Sequence, residues 1–324
     1  MRTPRAMVGL VAVTALILGG CGGGNGGGNG GGNGNGNGDS PGVADPGAVA
    51  PAATSEADWQ PVAQILGRPG KLSDGVYRVG FPRSDLTVVT QDVTVRPALS
   101  LGSYAAFARY PDGSAMVMGD LVVTETELPN VMDALQANGI SQTAIHKHLL
   151  DESPPIWWCH IGGHGDAQDL ARGVRAALDV TATPPPAPAP AAPAAVDLDT
   201  AAIDAALGRE GSVDGGVYKF SVPRREEITE TGMVLRPPMG VTTAIGFQPV
   251  GGGRAAVNGD FVMTAGEVQN VLKALRAGGI TVVSLHNHAL EDQPRLFYTH
   301  FWATDDAVAL ARTLRTALDA TAVK

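Results

Sequence analysis

This chain is written twice, and that repetition limits its folds more than any other feature. Gly75-Val76-Tyr77 returns as Gly216-Val217-Tyr218 and Pro82-Arg83 as Pro223-Arg224, both 141 residues later. One residue is then lost and the spacing becomes 140. It pairs Arg96-Pro97 with Arg236-Pro237, Gly119-Asp120 with Gly259-Asp260, Glu127 with Glu267, and Ala177-Leu178-Asp179 with Ala317-Leu318-Asp319. Self-similarity over this length implies one structural unit used twice. The boundaries read as copy one over 56–181, a linker over 182–197 and copy two over 198–324. The linker carries the run Pro184 to Pro193, which favours extended polyproline II. Whether the copies dock on one another is not readable from the sequence.

Ahead of the repeats, residues 1–20 read as a targeting segment. Arg2 and Arg5 precede an apolar stretch, Met7 to Leu18, too short to span a bilayer. It ends Leu18-Gly19-Gly20-Cys21, which resembles a bacterial lipobox. Cleavage before Cys21 and lipidation of its thiol and new amino group are expected, with an ordinary secretory peptide as the alternative. The protein is then extracytoplasmic and anchored to a bacterial membrane through lipid at Cys21. Residues 21–55 form a Gly/Asn-rich tether that cannot bury a core. With Cys21 modified, Cys159 has no partner, so no disulfide is expected; Cys159 reads as a small buried apolar residue. A net charge of −9 without a long basic run argues against nucleic acid as a partner.

Within each copy the hydrophobic period gives the elements. Val62, Ile65 and Leu66 before Gly67, and Ile203, Ala206 and Leu207 before Gly208, mark a first amphipathic helix. Thr200 is a candidate cap. Short strands follow over Val217 to Val222, Gly232 to Leu235, Thr242 to Phe247 and Arg254 to Met263. Thr264-Ala265-Gly266-Glu267 and Thr124-Glu125-Thr126-Glu127 both fit a capping box, opening a second helix. A third begins after Thr304, with Asp305-Asp306 at the positive end of its dipole. The fold class is therefore α+β: two homologous domains, each a mostly antiparallel sheet packed with about three helices.

Between the second and third helices lies His286-Asn287-His288, a turn around Pro294, then Tyr298-Thr299-His300. Alternation puts His286 and His288 on one face of an extended strand. A hairpin centred on Pro294 places His288 opposite His300, with Cβ atoms roughly 4.5–5.5 Å apart. His146, His148 and His160 stand in the same relation about Pro154. These two triplets take six of the seven histidines, a concentration that scattered core histidines would not give. Each triplet fits a divalent transition metal, and three protein ligands with an open fourth position suit zinc. Copper and nickel accept imidazole too. The competing reading is a hydrogen-bonded cluster on a sheet face. His164 stands apart, as a surface or capping residue.

Acidic residues in the turns, Glu291, Asp292, Asp151 and Glu152, are candidates to complete a metal shell or act as a base on bound water, unless they are simply solvated turn residues. Arg236 and Arg96 are candidates to bind an anion or pair with Asp260 and Asp120, which also suit support of a histidine N–H. No Gly-x-Ser-x-Gly elbow occurs, and Ser284 is matched by Ala144 and Cys159 by Thr299, so covalent catalysis by an equivalent residue in both copies finds little support.

The lipobox, the repeated unit, the Gly-Asp pairs, and Leu-His-Asn-His with its later Tyr-Thr-His-Phe together resemble the LppY/LpqO lipoprotein family, whose domain has no known function. The resemblance covers roughly residues 60–181 and 201–321. Copy one departs from it at Lys147, which stands where Asn287 stands in copy two. It implies an envelope lipoprotein and brings no activity. The reading is a lipoprotein with a histidine-triplet metal site in each domain. A metal-dependent hydrolase and a non-catalytic envelope interaction module are the alternatives.

Overall fold

The computed structural model describes residues 47–187 and 195–324. The targeting segment, Cys21 and its lipidation, the tether up to residue 46 and linker residues 188–194 lie outside the described residues. Copy one supplies strands β1 (Lys71–Ser73), β2 (Val76–Pro82), β3 (Val88–Thr90), β4 (Val93–Val95), β5 (Gly102–Arg109), β6 (Ala115–Thr124), β7 (Ser141–His146) and β8 (Ile156–Gly165). Copy two supplies β9 (Ser212–Asp214), β10 (Val217–Pro223), β11 (Ile228–Glu230), β12 (Met233–Leu235), β13 (Thr242–Gly251), β14 (Arg254–Thr264), β15 (Thr281–His286), β16 (Asp292–Gln293) and β17 (Leu296–Asp306). The main sheets run β1-β2-β5-β6-β8-β7 and β9-β10-β13-β14-β17-β15, the same order twice and antiparallel throughout.

Each repeat carries three helices of about two turns or more: Gln60–Leu66, Leu128–Ala137 and Ala167–Asp179, then Thr200–Leu207, Ala265–Ala277 and Ala307–Leu318. Their apolar stripes cover one sheet face. Val117, Leu121 and Val123 of β6 meet Val131, Leu135, Leu170 and Val174, and Val257, Phe261 and Met263 of β14 meet the matching helices of copy two. Gly208 ends its helix in the left-handed conformation, φ 71°, as the C-terminal signal requires. Two caps differ from the sequence reading. Asp199, not Thr200, accepts from Ala202 N, and Asp306, not Thr304, accepts from Ala309 N. The second shift arises because β17 runs on as strand through Asp306.

The opposite sheet faces are apolar as well, and they bury against each other. Met116 and Met118 of β6 share a cluster with Val262, Leu296 and Tyr298, while Val122 and Trp158 share one with Ala256 and Trp302. Strand β6 is buried at every position but its last, the near-continuous apolar run of a strand covered on both faces. The layers are therefore helix, sheet, sheet, helix, and residues 47–55, read as tether, strap the joint. Val49 bridges Met233 of copy two, and Ala52 N donates to Arg109 O of copy one.

At the helix–sheet seam an identical buried arginine closes each repeat. Arg83 binds Asp85, Glu127 and the Val122 carbonyl; Arg224 binds Glu226, Glu267 and the Val262 carbonyl. Glu267 also closes the capping box on Thr264 and accepts from Ala322 N, and Glu127 does the same for Thr124 and Ala182 N. These glutamates are structural hubs. Because removing one partner strands a buried charge, Glu267→Ala should destabilise the fold by about 3–5 kcal/mol, measured by urea unfolding. A loss within a few tenths of a kcal/mol would contradict the assignment.

Candidate metal centre

Two glycine–aspartate pairs build the floor of the site. In the β14–β17 ladder Asp260 lies directly opposite His300, and in β6–β8 Asp120 lies opposite His160. The preceding glycines sit where a Cβ would press to 2.1 Å from Ala244 O and 2.4 Å from Tyr104 O, so no side chain fits. Their carbonyls orient the rings: His300 Nδ1 donates to Gly259 O at 2.7 Å, and the Gly119 backbone serves His160.

The remaining four rings come from the ends of β7 and β15. The register differs from the sequence expectation: Ser284 opposes His300 and Ala144 opposes His160, not His288 and His148. The connection is a loop holding β16 rather than a tight turn on Pro294, and a bulge interrupts the ladder before Ser284. Residue 284 and residue 288 differ by an even number, so the facing survives the shift. His288 is fixed beyond the strand end by its Nδ1 contact to Gly240 O at 3.2 Å and by stacking on Tyr298 at 3.5 Å; Trp158 stacks on His148 at 4.4 Å.

Docking of the sheets then merges the two triplets. His146 faces His286 with ring centroids 3.5 Å apart, His148 faces His300 at 3.5 Å and His160 faces His288 at 4.0 Å. The first pair joins equivalent residues, and the other two exchange under the same operation. An approximate two-fold axis therefore passes between His146 and His286. The copy-one triplet His146, His148 and His160 is brought together as expected, but with His300 of copy two among its donor atoms within 4.8 Å, while the copy-two triplet is divided between His160, His286 and His288 and Asp260, His286 and His300. Every one either crosses the repeats or includes an aspartate.

Electrostatically the six imidazoles are held neutral by burial. Burial holds His288 and His146 down to about 3 and His300 to about 4, and keeps His148, His160 and His286 far below the usual range, helped by neighbouring imidazoles. Burial also pushes Asp120 up to about 8, with the Asp260 charge adding to it, and Asp260 to about 6. All six Nε2 atoms, and Oδ1 of both aspartates, are buried without a hydrogen-bond partner among the described residues. His288 Nε2 and Asp260 Oδ2 are 2.9 Å apart, close enough to pair yet without hydrogen-bond alignment. Neutral imidazoles with Nε2 free are in the metal-binding form; Nδ1 is tied to backbone in His160, His288 and His300, whereas in His146 and His286 Nδ1 too is buried without a partner among the described residues.

The turn acids are elsewhere. Glu152 pairs with Lys147, Asp292 with Arg295 at 2.8 Å and with Leu296 N, while Glu291 and Asp151 are exposed. Nor do the candidate arginines pair with the aspartates. Arg96 donates to Gly216 O, and Arg236 lines a separate polar cleft with Arg225 and Lys324. The cation near Asp120 is Arg78, lying 3.3 Å over the Tyr104 ring and donating to Pro238 O. Its counterpart Lys219 pairs with Asp214, so the repeat gave no signal for it. Tyr298 and Trp158 were legible as strand residues but not as the rings that brace His288 and His148. Cys159 is buried in the helix-side core, and exposed His164 contacts Ser114 Oγ at 2.8 Å.

Together these features define a duplicated α+β protein whose two sheets share one histidine–aspartate centre. The chain belongs to the family described as Domain of Unknown Function (DUF1259), whose model matches residues 60–180 and again 201–320. No curated protein matches it. Among solved structures, the trimeric bacterial microcompartment shell protein PduB is similar at 12% identity over 79% of this chain and 91% of its own, with a TM-score of 0.21. EtuB from Clostridium kluyveri is similar at 11% identity over 77% and 88%, with a TM-score of 0.18. Likeness at that level carries nothing about fold or function.

Proposed function

We propose that this chain is an envelope lipoprotein of the LppY/LpqO kind that binds a divalent transition metal in one centre shared by its repeats. The observation carrying the reading is the set of six buried Nε2 atoms without partners, converging beside two carboxylates. A buried polar atom left unpaired costs roughly 1–3 kcal/mol, and a cation satisfies several at once. The donors are imidazole and carboxylate with no thiolate, which favours zinc, copper or nickel over magnesium or calcium. Zinc–nitrogen bonds of about 2.0–2.1 Å put tetrahedral donors some 3.4 Å apart, within reach of small ring movements here. Of the alternatives, the hydrolase would use Asp120 or Asp260 as base, since the turn acids do not reach the centre.

Elemental analysis of protein purified without a chelator or histidine tag tests this. At least one equivalent of transition metal is expected. Its removal should lower the melting temperature, and readdition at 100 times Kd should restore about 2.7 kcal/mol. Metal-free protein whose melting is indifferent to zinc, copper and nickel would contradict it. For the anchor, mass spectrometry of the N-terminal peptide should find acylated Cys21, and Cys21→Ala should move the protein from the membrane to the soluble fraction.

A further inference from the structure

The centre is nearly symmetric, but its surroundings are not. On the side of His148, Trp302 is fully buried in a cluster with Leu149, Ala256 and Val283. The residue equivalent to Trp302 in copy one is Gly162, and the equivalents of Ala256, Val283 and Leu149 are Met116, Thr143 and Ala289. Where the indole would lie there is instead a cavity of about 220 Å³, with Gly162, Met116, Thr143, Ala289 and His288 in its wall. Gly162 is not held by its backbone, since its φ is not positive, and a Cβ there would come 3.2 Å from the Thr143 methyl. The space exists because a side chain is missing.

We infer that this cavity is a ligand pocket on the His288 side of the centre, and that it takes a small organic amine with a compact apolar body. Its floor is largely apolar, with Met116 and Met118 supplying soft, adaptable surface. Its mouth carries two carboxylates, Glu230 and Glu291, beside the exposed His164 ring, and no lysine or arginine is among the described residues lining it. Glu291 is exposed and its amide donates to Glu230, which sets both acids on one rim. That charge favours a cationic head and repels anions. On the opposite side Trp302 fills the space, and Asn258 ties Ser100, the His148 carbonyl and the Phe301 carbonyl together. One pocket therefore serves a centre built from two halves. The inference rests on the metal reading, which makes the neighbour of a bound ligand a metal rather than bare imidazole.

Benzylamine and benzoate, titrated calorimetrically into the full-length protein of measured metal content, test it. Benzylamine should bind saturably and benzoate should not. Gly162→Trp should weaken benzylamine by about tenfold or more while metal content stays unchanged. Glu291→Gln, at an exposed position with little folding risk, should weaken it about two- to fivefold. No saturable benzylamine binding, equal binding of benzoate, or wild-type affinity in folded Gly162→Trp would overturn the inference. If metal is bound and the amine is not, only the pocket fails; if no metal is bound, the earlier reading fails whatever the amine does.

Discussion

Alanine at His286 will strip the centre of metal, and alanine at His146, 140 residues earlier, will do so to a similar degree. The two rings face each other at 3.5 Å across the pseudo-two-fold; His146 also lies about 5 Å from His148, His160 and His300, and His286 lies 5.1 Å from His288, 4.8 Å from His300 and 5.7 Å from His160. Loss of a direct ligand should exceed the 10- to 100-fold cost typical of losing a supporting partner, so affinity should fall by at least about 100-fold in either variant. The pattern matters as much as the size. Two independent sites would each keep their own metal, and either substitution would remove half of the total. A shared centre loses most of it both times. His300→Ala is the sharper version, because His300 groups with the three histidines of copy one. Competition with a chromophoric chelator reads all three variants.

The second large effect is acid lability of the metal-free protein. The six imidazoles are held below their ordinary value of about 6.5 by burial. Below that pH the unfolded chain takes up protons that the folded chain refuses. Their contribution is therefore fully present above about pH 6.5 and is lost as pH falls, toward about 3–4 for His146, His288 and His300 and lower still for His148, His160 and His286. Asp120 and Asp260 act in the opposite sense. Raised to about 8 and about 6, they favour folding most below the unfolded carboxylate value of about 3.9, and that contribution fades as pH rises through the folded values. Six groups outweigh two, so the histidines decide the sign between about pH 4 and 6.5. Each net proton contributes up to about 1.4 kcal/mol per pH unit. Urea unfolding of chelator-treated protein should show a steep fall in stability across this window, blunted by metal until the ligands are protonated. Flat stability from pH 7 to pH 4.5 would show that the rings are not buried as neutral bases.

Much of this was readable in the residues. The 140-residue period carried the succession of helices and strands in each repeat, because the apolar stripes, the Gly67 and Gly208 helix ends and the Thr124–Glu127 and Thr264–Glu267 boxes recur at the same places. The faces of the histidines were readable too, for parity alone puts residues 286, 288 and 300 on one side. The register was not, since it depends on a loop and a bulge that leave no mark in alternation. Docking of the two sheets does not follow from the repeat; its trace is in β6, where Ala115 to Val123 is apolar on both faces apart from Gly119 and Asp120, while a sheet with one wet face would alternate. Alternation reports on one hairpin at a time, so by itself it keeps the triplets apart and points to the turn acids as the nearest carboxylates. Asp120 and Asp260 mattered more than as N–H partners, because strand pairing places each beside a histidine in the closed interface.

The most direct measurement of the central claim is an anomalous-difference map, recorded at the absorption edge of the ion in crystals of the metal-loaded protein. The expected result is density within bonding distance of imidazoles from both repeats, with Asp260 at or just outside the coordination shell. Density bound by one repeat's histidines alone, or none among His146, His160, His286 and His300, would contradict a shared metal centre.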